Sequence, residues 1–246
     1  TILTIIINYN MAKKFIELEV PQTLNDITLE QYQKYMKVMD AHKDAEKTDE
    51  LTNFLNMKLV EIFCNISLAE VDKISVRGFN KVLEILNKAF SEKPKLITRF
   101  VLEGVDMGFI PKLDDISLGE YIDIESNISN WQKMHVVMSV MYRPVNFRLG
   151  DKYTIAPYEA KEEVQQIMKN MPMDVALSAM LFFYDLGKVL LQAIPRYMEK
   201  NLSKKDMQQL EAHLQKNGGG INQFMHSLKE MSFDLNKLQN YHFSSV

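Results

Sequence analysis

A single cysteine in 246 residues, Cys64, leaves the chain no internal disulfide, which suits a reducing compartment such as a cytoplasm. It lies in the apolar run Leu59-Val60-Glu61-Ile62-Phe63-Cys64 and reads as a small buried hydrophobe. A reactive thiol would want a nearby cation or a helix N-terminus. Arginine is scarce as well. Arg77, Arg99, Arg143, Arg148 and Arg196 are scattered, and the formal net charge is -3. Tight nucleic-acid binding needs a concentrated basic field; the linear sequence has none, so no nucleic-acid partner is expected. The histidines are His42, His135, His213, His226 and His242, and none has a second histidine or a cysteine at metal-ligand spacing. Gly-x-Ser-x-Gly, a glycine-rich phosphate loop and a dinucleotide fingerprint are missing too. The expectation is a protein that is not an enzyme, with no catalytic residue, cofactor or metal.

Long apolar runs are also lacking. Val175 to Tyr184 is bounded by Asp174 and Asp185, whereas a membrane span needs about twenty residues. It reads as a buried core helix, with no membrane partner. Thr1 to Ile7 is β-branched and apolar but has neither the positive flank nor the length of a secretory signal. Residues 1–14 therefore read as an N-terminal extension or an edge strand.

What is present is ordinary globular chemistry, 46% hydrophobic and 25% charged, which excludes a disordered chain. One phrase occurs twice. Val20-Pro21 leads to Asp26-Ile27-Thr28-Leu29-Glu30-Gln31-Tyr32, and Ile110-Pro111 leads to Asp115-Ile116-Ser117-Leu118-Gly119-Glu120-Tyr121. Each predicts a helix start: Thr28 or Ser117 caps, Gln31 or Glu120 closes a capping box, and Ile27/Tyr32 or Ile116/Tyr121 form a hydrophobic staple. Ser67 with Glu70, and Ser129 with Gln132, read as further starts. Alternation predicts a strand over Phe15 to Val20. Helices are predicted from Thr28, over Leu51 to Phe63 and Gly78 to Phe90, from Ser117, and up to a stop at Pro144. Two more are predicted over Glu159 to Met171 and Val175 to Met198. Leu96 to Ile110, with turns at Glu103-Gly104 and Met107-Gly108, predicts one β-hairpin. Val145 to Ile155, turning at Gly150-Asp151, predicts another. The fold class is mainly α with small β-hairpins (α+β). Residues 15–200 form a mostly helical main domain, and 201–246 a separable C-terminal helical segment around the hinge Gly218-Gly219-Gly220.

The densest acidic stretch, Asp114, Asp115, Glu120, Asp123 and Glu125, could hold magnesium through carboxylates. Aspartates before a helix N-terminus, and Glu120 inside a capping box, are explained without a metal. Arg143 lies between Tyr142 and Pro144 at a predicted helix end. There it can satisfy terminal carbonyls or anchor a partner's carboxylate. His135 reads as a partly buried helix histidine. Sixteen methionines are many, and flexible methionine surfaces suit apolar partners. The segment around Met180 and Phe183 is a candidate contact surface. So is the stripe Phe224, Met225, Leu228, Met231 and Leu235 beyond the triglycine.

Four phrases in order carry a resemblance. They are Gly108 to Asp123 (GFIPKLDDISLGEYID), Met138 to Val145 (MSVMYRPV), Lys152 to Glu159 (KYTIAPYE) and Met171 to Tyr184 (MPMDVALSAMLFFY). Together with Val20 to Tyr32 they resemble a family of tailed-bacteriophage proteins encoded among tail and baseplate genes, over roughly residues 15–200. No catalytic residues come with the family. The resemblance implies virion morphogenesis in the host cytoplasm. The protein would be a tail or baseplate-hub assembly chaperone whose partner is a tail or baseplate protein. A permanent virion subunit such as a connector or hub, with a homo-oligomeric interface, is the alternative. A metal-dependent nuclease using the Asp114 to Glu125 carboxylates is the second.

Overall fold

Glu17 and Glu19 point to solvent while Leu18 and Val20 are buried, the period-two pattern of a strand with one covered face. The computed structural model describes residues 2–8, 15–112 and 116–185. These fall into two compact units. Among the described residues the protein is mainly α with two small antiparallel sheets.

The first unit contains residues 2–8, 15–94 and 162–176. Strand β1 (Ile2–Asn8) pairs antiparallel with β2 (Phe15–Pro21), from Ile2 opposite Pro21 to Asn8 opposite Phe15. A 3-10 turn, Leu24–Asp26, follows. The Asp26 carboxylate accepts from the Gln22 and Thr23 N–H groups at 3.2 and 3.1 Å. Helix α1 (Leu29–Ala41) opens on the predicted box. Gln31 N–H donates to Thr28 Oγ1 at 3.2 Å, and Thr28 N–H to Gln31 Oε1 at 3.0 Å. The Gln31 amide also donates to the Ile62 carbonyl at 3.1 Å, so a local cap becomes a tie to α2 (Asp49–Phe63). Ile27 and Tyr32, the predicted staple, are both buried. After α3 (Leu68–Val71) comes α4 (Val76–Phe90), whose Val82, Leu83, Leu86 and Phe90 turn inward at helical spacing. Aromatic contacts bind these helices: Tyr35 to Phe63 at 5.5 Å and Phe63 to Phe90 at 5.0 Å between ring centroids.

The chain returns to this unit through α7 (Glu162–Ile167) and the 3-10 turn Met168–Asn170. One helix over Glu159 to Met171 was expected, and the regular part is shorter. Met171 precedes Pro172, which disfavours αR for it; its ψ is 147°. The extended backbone pairs with the start of α1, Leu29 N–H donating to Met171 O at 2.9 Å and Met173 N–H to Ile27 O at 2.8 Å.

Cys64, at the end of α2, is buried, and burial pushes its thiol up to about 12. Native protein at pH 8 is expected to resist a disulfide reagent such as dithionitrobenzoate and to react with one equivalent on unfolding. Rapid labelling of folded protein would contradict the packing around Cys64.

The second unit contains residues 95–112, 116–161 and 177–185. Strands β3 (Arg99–Leu102), β4 (Val105–Phe109), β5 (Tyr142–Leu149) and β6 (Lys152–Ile155) form one antiparallel sheet in that order. The two expected hairpins are thus joined through β4 and β5. Glu103 and Gly104 have φ of 50° and 83°, the paired positive values of a tight hairpin turn. Met107-Gly108, expected as a turn, lies inside β4. Helix α5 (Leu118–Asn127) opens on the predicted Ser117/Glu120 box, with Ser117 N–H donating to Glu120 Oε2 at 2.6 Å. Its staple is not buried, because Tyr121 faces solvent.

The next start lies one residue beyond Ser129. Asn130 caps a 3-10 turn, Trp131–Lys133, accepting from Gln132 N–H at 2.9 Å. Helix α6 (Met134–Met141) follows, and every residue in it is buried, His135 among them. It ends three residues before Pro144. That proline sits within β5, opposite Met107, because the sheet extends the backbone back to Tyr142, whose φ and ψ are -121° and 125°. Residues 173–185 form α8, of which 173–176 belong to the first unit and 177–185 to the second.

Candidate functional site

The sheet of the second unit organises the chemistry around it, since residues opposite one another in the register share a face. Phe100 pairs with Met107 and Phe109 with Tyr142, so one face is apolar. The rings of Phe182 and Phe183 in α8 pack against Phe109, at centroid distances of 5.7 and 6.0 Å. Phe100 and Phe109 each stand 5.3 Å from Tyr142. The Tyr142 hydroxyl donates to the Ile97 carbonyl at 2.7 Å.

The opposite face carries the row Arg99, Gly108 and Arg143. Each arginine has an acidic partner. Arg99 pairs with Asp106 on the neighbouring strand. Arg143 Nη1 meets Glu120 Oε1 at 2.7 Å, with both side chains nearly buried. Burial would raise the Glu120 pKa. The Ser117 hydrogen bonds and the Arg143 charge outweigh it, and the net shift is downward. Between the arginines the Tyr153 ring lies over Gly108, its hydroxyl donating to the Phe109 carbonyl at 2.8 Å. Tyr158 donates to Asp123 Oδ2 at 2.7 Å, a second tie to α5.

The candidates from sequence separate sharply on this frame. Met180 is 2% exposed and Phe183 is 6% exposed, which corrects their reading as a contact surface. Residues 175–180 of α8 are buried without a break and Phe183 packs on Phe109 of the sheet, so the methionine-aromatic run is core. Arg143 lies in a strand and is held by Glu120, so it neither caps a helix nor stands open to a partner's carboxylate. Phe224, Met225, Leu228, Met231 and Leu235 lie outside the described residues, as do Asp114 and Asp115. Of the remaining acidic stretch, Glu120 closes a cap and an ion pair, and Asp123 accepts from Tyr158. Among the described residues no three histidine, cysteine, aspartate or glutamate side chains gather as a metal site. No helix among them is long and apolar enough to cross a membrane.

Sequence reasoning missed an exposed apolar pair on the β5–β6 hairpin. Phe147 and Leu149 are 62% and 72% exposed, and residues 146–152 face solvent throughout. Strand β4 pairs only with Tyr142 to Pro144, so the hairpin continues past it. The signal was available in the spacing: two large apolar residues two apart in a strand share a face. On α5, Tyr121 and Ile122 are likewise 43% and 50% exposed.

Comparison of the chain with protein-family models, with curated proteins and with solved structures found no match.

Proposed function

We propose that this protein acts in the assembly of a tailed bacteriophage, as a chaperone for a tail or baseplate-hub component in the host cytoplasm. The observation that carries the reading is the ordered set of four phrases between Gly108 and Tyr184, with their resemblance to proteins encoded among tail and baseplate genes. The geometry is compatible with a binding role. Glu120 and Asp123 have partners inside the second unit, which leaves these two carboxylates poorly suited to metal-dependent nuclease chemistry. The scattered arginines give no nucleic-acid footprint, and Arg99 and Arg143 are each paired to an acid.

The mechanism is reversible burial of apolar surface, with no bond made or broken. The proposed contact is the stripe of Phe224, Met225, Leu228, Met231 and Leu235. The experiment is an affinity pull-down from infected cells, with mass spectrometry of purified particles alongside. A named tail or baseplate protein recovered with the chain, and no chain in mature particles, is the expected result. Stoichiometric presence in particles would replace the chaperone with a permanent connector or hub subunit. Recovery of neither would overturn the reading.

A further inference from the structure

We draw no further inference here: the strongest candidate, the exposed apolar pair Phe147 and Leu149 on the β5–β6 hairpin, carries nothing, because nothing in the structure shows what covers it.

Discussion

Arg143→Leu is expected to destabilise the second unit by about 3–5 kcal/mol, the usual cost of leaving one member of a buried ion pair without its partner. Glu120 is the group left behind. Its side chain is nearly buried, and Arg143 Nη1 is the cation at its Oε1, 2.7 Å away. Its other oxygen still takes the Ser117 N–H, so the helix cap survives while the charge loses compensation. The control is Glu120→Gln in the Arg143→Leu background. Glutamine keeps the cap, since Gln31 closes the equivalent box on α1, and it removes the stranded charge. The double variant should therefore recover a large part of the loss. Urea unfolding followed by Trp131 fluorescence reads this unit directly, because Trp131 is the one tryptophan and is buried there.

A double variant no more stable than Arg143→Leu would mean that packing of the arginine stem, rather than its charge, sets the cost. The pH dependence has a definite sign. A carboxylate whose folded pKa lies below its unfolded one contributes stability above the ordinary glutamate value, and loses it as pH falls through the folded value. The downward shift of Glu120 places that loss in the acid range, and Arg143→Leu should diminish this part of the acid sensitivity.

How much of the molecule was legible in sequence follows from how local each determinant is. Thr28 with Gln31, and Ser117 with Glu120, are three residues apart, and both boxes form as read. The staple needs more than spacing. Ile27 and Tyr32 are covered by neighbouring structure, whereas Tyr121 in the same phrase is left in solvent. Pro144 shows the same limit from another side. A proline after an apolar helical run predicts a stop, but here the sheet register places it in a strand and ends α6 earlier. Arg143 and Glu120 are far apart in the chain, and only the folding of α5 against the sheet brings them together. Met180 and Phe183 looked like binding surface because methionine-aromatic composition serves binding sites and cores alike. Burial distinguishes the two, and burial is tertiary.

Gly108→Ala is expected to cost about 1–3 kcal/mol, the range for forcing atoms into a filled site. Gly108 is in β4, where an alanine would be conformationally acceptable, and its cost comes from the ring above it. A Cβ built there stands 2.6 Å from Tyr153 Cε2, 3.0 Å from its Cδ2 and 3.0 Å from Val145 Cγ2. The Tyr153 ring cannot retreat cheaply. Its hydroxyl is bonded to the Phe109 carbonyl at 2.8 Å and reaches that of Thr98 at 3.2 Å, so lifting the ring breaks those bonds. Moving Val145 instead disturbs the register irregularity between Val145 and Phe147. In a Tyr153→Ala background only the 3.0 Å contact with Val145 Cγ2 remains, and the cost of Gly108→Ala should fall to a small part of its value in the wild-type background, helped by the smaller backbone entropy alanine has to lose. The double-mutant cycle in urea, again read by Trp131, isolates the steric coupling. A Gly108→Ala cost that is the same in both backgrounds would show that the glycine is needed for its backbone rather than for the ring it admits.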